Sequence, residues 1–209
     1  MSRRRLPRRF PLAFALWSLA MLALSPQALG QSATMRLNGD RSNADACAAY
    51  AAANNAPDEA IAACTRALEA EHLDQPSSIT THINRGNLYL RRNDPQPAIA
   101  DFDAVIAADR RNAEARLDRG VALMMQGQPG PAVAVITEAL TLGVHEPQKA
   151  YYDRAAAREA LGDLRGAYED YSTALQIAPD WGPANAEMQR LAEQRKQMLA
   201  TALNDEPGH

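Results

Sequence analysis

The chain has 209 residues, 22 Lys+Arg against 25 Asp+Glu, 46% hydrophobic side chains and only 5% aromatic ones. A formal net charge of -3 argues against a nucleic-acid binder that works by neutralising phosphates, and two cysteines with four scattered histidines cannot build a zinc site of the CxxC type. No apolar run suits a multi-span membrane protein, and an alanine-rich, aromatic-poor core favours closely packed helices over sheets.

Charge is unevenly placed along the chain. Arg3, Arg4, Arg5, Arg8 and Arg9 open it, and no acid precedes Asp40. An apolar stretch from Leu12 to Leu24 follows, then Ser25, Pro26 and Gln27, then the small-residue exit Ala28-Leu29-Gly30. Basic head, apolar middle and small exit predict a secretory signal peptide over residues 1–30, cleaved before Gln31. The alternative, an uncleaved anchor, needs a longer and unbroken apolar stretch. No cysteine follows the exit, which argues against a lipoprotein, and the arginine pairs only loosely resemble a twin-arginine signal, so general secretion is expected. Losing five arginines and no acids, the exported chain keeps 17 basic residues against 25 acidic, a net charge near -8. The expected location is periplasmic or secreted, with no stable membrane span after cleavage. Residues 31–43 read as a polar, mobile lead and 204–209 as a tail.

Export bears on the two cysteines. Cys47 and Cys64 are an even pair in an oxidising compartment, which predicts a disulfide between them. The alternative is two small buried hydrophobes. A catalytic redox pair lacks the CxxC spacing it needs.

From Cys47 onward the sequence repeats. A polar or glycine-bearing turn leads to Ala60, Ala98, Ala132 and Ala167, which stand 38, 34 and 35 residues apart. Four residues later come Cys64, Phe102, Ile136 and Tyr171, and three further on Ala67, Val105, Ala139 and Ala174. The i, i+4, i+7 spacing places each trio on one helix face. Upstream of three of the turns stands a second repeated string: Asn84-Arg85-Gly86, Asp118-Arg119-Gly120 and Asp153-Arg154-Ala155. Each unit therefore reads helix, tight turn, helix, and the small third residue lets the two helices approach. Pro97 and Pro131 fall just inside the second helix, where a missing N–H costs nothing.

On these residues, with Pro179 closing the last unit, the chain resembles the tetratricopeptide repeat family. The expected fold class is all-α: a short α-solenoid of three to four helix hairpins with a C-terminal capping helix. The units are about 41–78, 79–112, 113–147 and 148–181, the array spans 44–181, and the cap spans 182–203. Unit one is degenerate in its first helix and carries a longer connection through residues 71–78. Departures from the family pattern fall at Leu123 and Arg158, where unit two has Tyr89, and at Arg110 and Val144 in place of a closing proline. The run from Pro183 to Leu203 has apolar residues at Met188, Leu191, Met198 and Leu199 and reads as the amphipathic helix that covers the open end.

The resemblance implies a concave face lined by the first helices that holds a protein or peptide partner. Carried over position by position, that groove falls on Ile83, Asn87, Leu90 and Arg91 of unit two, Leu117, Val121, Met124 and Met125 of unit three, and Tyr152 of unit four. Most are apolar, so the face is either an open docking patch or one covered by the capping helix or by a neighbouring copy in a homo-oligomer. The family's carboxylate-binding constellation is matched only by Asn87 and Arg91. Asp101 and Asp170, sixteen residues after Arg85 and Arg154, are placed to pair with them across the hairpin. Unit three has Val135 there, which leaves Arg119 free for a ligand. No catalytic, cofactor-binding or metal-ligating set is recognised: His72, His82, His145 and His209 are scattered, and no nucleophile elbow or phosphate loop occurs. The expected function is a non-enzymatic interaction module of the cell envelope; a self-associating structural protein is the alternative.

Overall fold

The structure, a computed structural model, describes residues 42–53 and 56–204. The expected signal peptide, the polar lead up to residue 41 and the tail beyond Asn204 lie outside the described residues. Within them the chain is all-helical: α1 (Asn43–Ala52), α2 (Asp58–Ala70), α3 (Gln75–Arg91), α4 (Pro95–Ala108), α5 (Ala113–Met125), α6 (Pro129–Leu142), α7 (Pro147–Ala160), α8 (Leu164–Ile177) and α9 (Gly182–Asn204). Consecutive pairs from α1 to α8 form four antiparallel hairpins, and α9 packs on α8.

Local chemistry sets these boundaries. Ser42 caps α1 in a reciprocal box with Asp45, so the end of the polar lead is ordered as a helix start. Asp74 accepts a hydrogen bond from the Ser77 amide at 2.9 Å, and Pro76 occupies the first turn of α3. Together they start α3 at Gln75, one turn earlier than the unit boundary at Ile79 implied, and shorten the connection from α2 to four residues. The second, third and fourth hairpins turn alike. Asn93, Gly127 and Gly162 adopt positive φ of 57°, 70° and 80°. In each, the next amide closes back onto a carbonyl five residues earlier: Asp94 to Tyr89, Gln128 to Leu123 and Asp163 to Arg158, at 2.9–3.0 Å.

The second and third hairpins each close around one small-to-large contact. A methyl group added at Gly86 would lie 2.7 Å from Phe102 Cε1, and one at Gly120 would press still harder on Ile136. The rings and branches filling those gaps are fully buried, as are Ala98 and Ala132 beside them. The main core runs along the second to fourth hairpins through Phe102, Leu117, Leu123, Ile136 and Ala157. A smaller cluster of Cys47, Ala60, Cys64 and Leu88 joins the first hairpin to the second, and within it the two cysteines form a disulfide.

The repeated arginines fasten the array. Arg85 holds Asp101 through two bonds of 2.9 and 2.7 Å, and Arg154 holds Asp170 through two bonds of the same lengths. Asp101 and Asp170 are only 2% and 3% exposed, so these are buried forks rather than surface pairs. Each arginine also reaches back to the hairpin before it, Arg85 to Thr65 and Arg154 to Thr137. Arg119 is not free: lacking an acid at Val135, it bonds Asp103 of the preceding hairpin at 2.6 Å. Arg158, a departure from the repeat pattern, adds a third cation contact to Asp170 at 3.0 Å.

The glycine contacts predict an inversion of the usual helix rule. An alanine inside a helix ordinarily stabilises by about 0.5–1 kcal/mol relative to glycine. Gly86→Ala is expected instead to cost about 1–3 kcal/mol, as overpacking does. Urea denaturation measures it, and adding Phe102→Leu should recover part of the loss.

Candidate functional site: the first-helix face

Direct contacts join consecutive first helices, α1 to α3, α3 to α5 and α5 to α7, whereas no comparable set joins consecutive second helices. The array therefore bends with its first helices on the inside. Small residues on one side of α3, α5 and α7 are consumed by hairpin closure, so the opposite side of these helices faces the bend.

The anticipated groove residues divide into three groups. Ile83, Asn87, Leu90, Val121 and Met124 are half-buried, and Met125 is 38% exposed, so the middle of the face is apolar and accessible. Leu90 and Met124 also brace the core from above. Leu117 belongs elsewhere: at 7% exposure it is part of the core itself and offers little to a ligand. Tyr152 is covered by its own chain. Its ring meets Tyr171 and Trp181 edge-on at 5.4 and 5.2 Å, and Met188 of α9 joins the same cluster. The start of α9 thus closes the face at the fourth hairpin and leaves it open over the second and third.

The two side chains matching a carboxylate-binding set are engaged within the chain. Arg91 donates to the Ala51 carbonyl at 2.8 Å, and Asn87 hydrogen-bonds Asp118. The other cations along this face are similarly held: Lys149 by Glu146 at 2.6 Å, and Arg190 by Glu159 and Glu187 at 2.6 Å each. Asp118 and Asp153, one residue before the repeated arginines, make no direct ion pair, although Lys149 acts on Asp153 through space. Burial, reinforced by the charges of Glu114 and Asp153, pushes the Asp118 carboxyl up to about 7 against the opposing hydrogen bond from Asn87. Burial likewise raises Asp153 to about 6, with Lys149 pulling the other way. These two acids are the part of the site that the sequence reading missed, because acids at helical spacing look like a solvated face. Their position opposite the small residue that closes the hairpin was the available signal.

Among the described residues, no group of three His, Cys, Asp or Glu side chains is gathered as a metal site requires, and no helix is long and apolar enough to cross a membrane.

The raised Asp118 carboxyl links stability to pH. The folded chain keeps a proton on Asp118 up to about pH 7, which the unfolded chain, near 3.8, has already released. The folded state binds more protons in this interval, so stability present at low pH is lost as pH rises through 7. Urea midpoints of the native chain should fall between about pH 4 and pH 7 and level off above it, and Asp118→Asn should remove part of that fall, the remainder coming from Asp153.

Residues 148–180 match the family model described as tetratricopeptide repeat. Serine/threonine-protein phosphatase 5 of Rattus norvegicus is 30% identical over 113 residues, which cover 54% of this chain and 22% of that protein. RNA polymerase II-associated protein 3 of Xenopus tropicalis is 32% identical over 107 residues, covering 51% and 16%. The chain therefore spans about a fifth of the length of the curated relatives it matches. Among solved structures, the first repeat domain of Spaghetti (RPAP3) bound to the HSP90 peptide SRMEEVD superposes with TM-score 0.54 at 25% identity, covering 61% of this chain and 99% of that one. The second repeat domain of human RPAP3 with the HSP70 peptide SGPTIEEVD gives 0.53 at 27%, covering 57% and 98%. MamA, at 21% identity and TM-score 0.54 over 68% and 91%, shares the fold. The four hairpins share the α-solenoid fold of these tetratricopeptide-repeat domains, and residues 148–180 match the repeat itself.

Proposed function

We propose that the protein is a non-enzymatic adaptor or assembly factor of the cell envelope that holds a segment of a partner protein on its first-helix face. The observation that carries this reading is the apolar strip of the half-buried Ile83, Leu90, Val121 and Met124 with the exposed Met125 along the first-helix face. Exposed methionines adapt to varied apolar partners. Two similar solved domains are recorded with peptides bound, which makes peptide capture the natural use of such a face. Export rests on the basic head, apolar middle and small exit of residues 1–30, and on the cysteine pair, which suits an oxidising compartment.

A second reading, self-association, is favoured by a different observation. Leu161, Leu164, Tyr168, Ile177 and Met198 are all exposed near the C-terminal end of the array. A groove of about 990 Å³ between α8 and α9 is lined by Leu164, Tyr168, Leu191 and Met198. Light scattering separates the two, since an adaptor is monomeric with its strip open.

Val121→Glu with Met124→Glu should abolish capture of cross-linked partners from an envelope fraction while leaving the helical circular-dichroism signal intact. Leu117 is unsuitable for this test because it is core. Mass spectrometry of the exported chain should find Gln31 at its N-terminus; an intact residue 1 in the envelope would overturn cleavage.

A further inference from the structure

The chemistry of the first-helix face constrains what can lie on it, granted the reading of that face as the partner surface. Its apolar strip is flanked by carboxylates. Asp118 of α5 and Asp153 of α7 occupy equivalent places in successive hairpins, and Glu114 lies one turn before Asp118. Every cation nearby already has a partner within the chain: Arg91 the Ala51 carbonyl, Lys149 Glu146, and Arg190 both Glu159 and Glu187. Glu114 is shared with His145, which donates its backbone amide at 2.7 Å and sets its ring nitrogen 2.8 Å away. Asp118 has only the neutral Asn87 amide. The register equivalent of Asn87 in the third hairpin is Val121, which brings no donor at all to the junction carrying Asp153.

A half-buried carboxylate without a cation gains most from a ligand that supplies one. An acidic ligand meets the opposite condition. The peptides SRMEEVD and SGPTIEEVD held by the similar domains carry three acidic side chains each and end in a carboxylate. Here such a tail would face Glu114, Asp118 and Asp153, with Lys149 and Arg190 already paired to acids and Arg91 turned to the Ala51 carbonyl, and like charges brought together discriminate against a partner.

We propose that the first-helix face of the second to fourth hairpins binds a partner segment in which lysine or arginine alternates with apolar residues, the cation seated between Asp118 and Asp153 and the apolar side chains on Val121, Met124 and Leu90. It is a selector for cationic, apolar segments and excludes acidic C-terminal tails.

The test uses the purified chain and a positional-scanning library of short fluorescein-labelled peptides. Leu or Met is fixed at alternating places, and Lys, Gln or Glu fills the places between; labelled SRMEEVD is the acidic reference. At pH 8, where both Asp118 and Asp153 are ionised, fluorescence anisotropy should rank the Lys peptides first and SRMEEVD last. Asp118→Asn with Asp153→Asn should weaken the Lys peptides about 10-fold, the loss of one charge-assisted contact, and leave the Gln peptides unchanged. Added salt should do the same to the unmodified protein, which serves if the double variant fails to fold. Gln peptides or SRMEEVD binding as tightly as the Lys peptides would overturn the selectivity while the face remained the docking site. If no peptide binds, or Val121→Glu leaves binding unchanged, the docking face itself falls, and this proposal with it.

Discussion

The close approach of the two helices in each hairpin is the constraint on which the array depends. Gly86 against Phe102 and Gly120 against Ile136 leave no room for another methyl group, so the helices meet at one register and no other. In the fourth hairpin Ala155 takes the glycine's place opposite Tyr171, and both are buried. Once the register is fixed, the arginine one residue earlier is carried across to the acid of the second helix. That is why Arg85 finds Asp101 and Arg154 finds Asp170 with the same two bond lengths. Burying such a fork is costly unless both partners are in place. The contact that closes the hairpin therefore also decides whether its charges are tolerable.

The same closure allocates the faces of the first helices. One side of α5 is taken by Ile136, another by the neighbouring hairpins, and what remains is Val121, Met124, Met125 and Asp118. An apolar strip and a carboxylate row emerge on that side as residues left over from packing. Such residues are free to be chosen by a ligand rather than by the fold.

Much of the fold was legible in the sequence because a repeat writes each contact several times. The trio spacing located the second helices, the small third residue located the approach, and sixteen residues of separation predicted the two forks. The misreadings have local causes. The early start of α3 follows from Asp74 and Pro76, an N-cap placed one turn ahead of the unit boundary that the repeat spacing implied. Spacing within its own hairpin leaves Arg119 without an acid, whereas its partner, Asp103, stands in the hairpin before. Leu117 was assigned to the groove by position, yet a side chain on the shoulder of a tightly stacked helix is drawn into the core. Asp118 and Asp153 were hidden for a different reason: a carboxylate half-buried by neighbouring helices is indistinguishable, in one dimension, from one in water. The signal peptide falls outside the described residues, so its reading rests on sequence alone.

The two ends of the array are held by different kinds of bond. At the first hairpin, whose leading helix has only 10 residues, the Cys47–Cys64 bridge spans 17 positions and ties α1 to α2 covalently. At the other end α9 is kept by Leu191 and by the Arg190–Glu159 ion pair, with the Tyr152–Trp181 contact just before it, all reversible. A linear stack loses its units from whichever terminus is weaker. Fraying in this protein is thus expected to be polarised, beginning at α9 and uncovering Tyr152 and the end of the first-helix face before the hairpins themselves come apart.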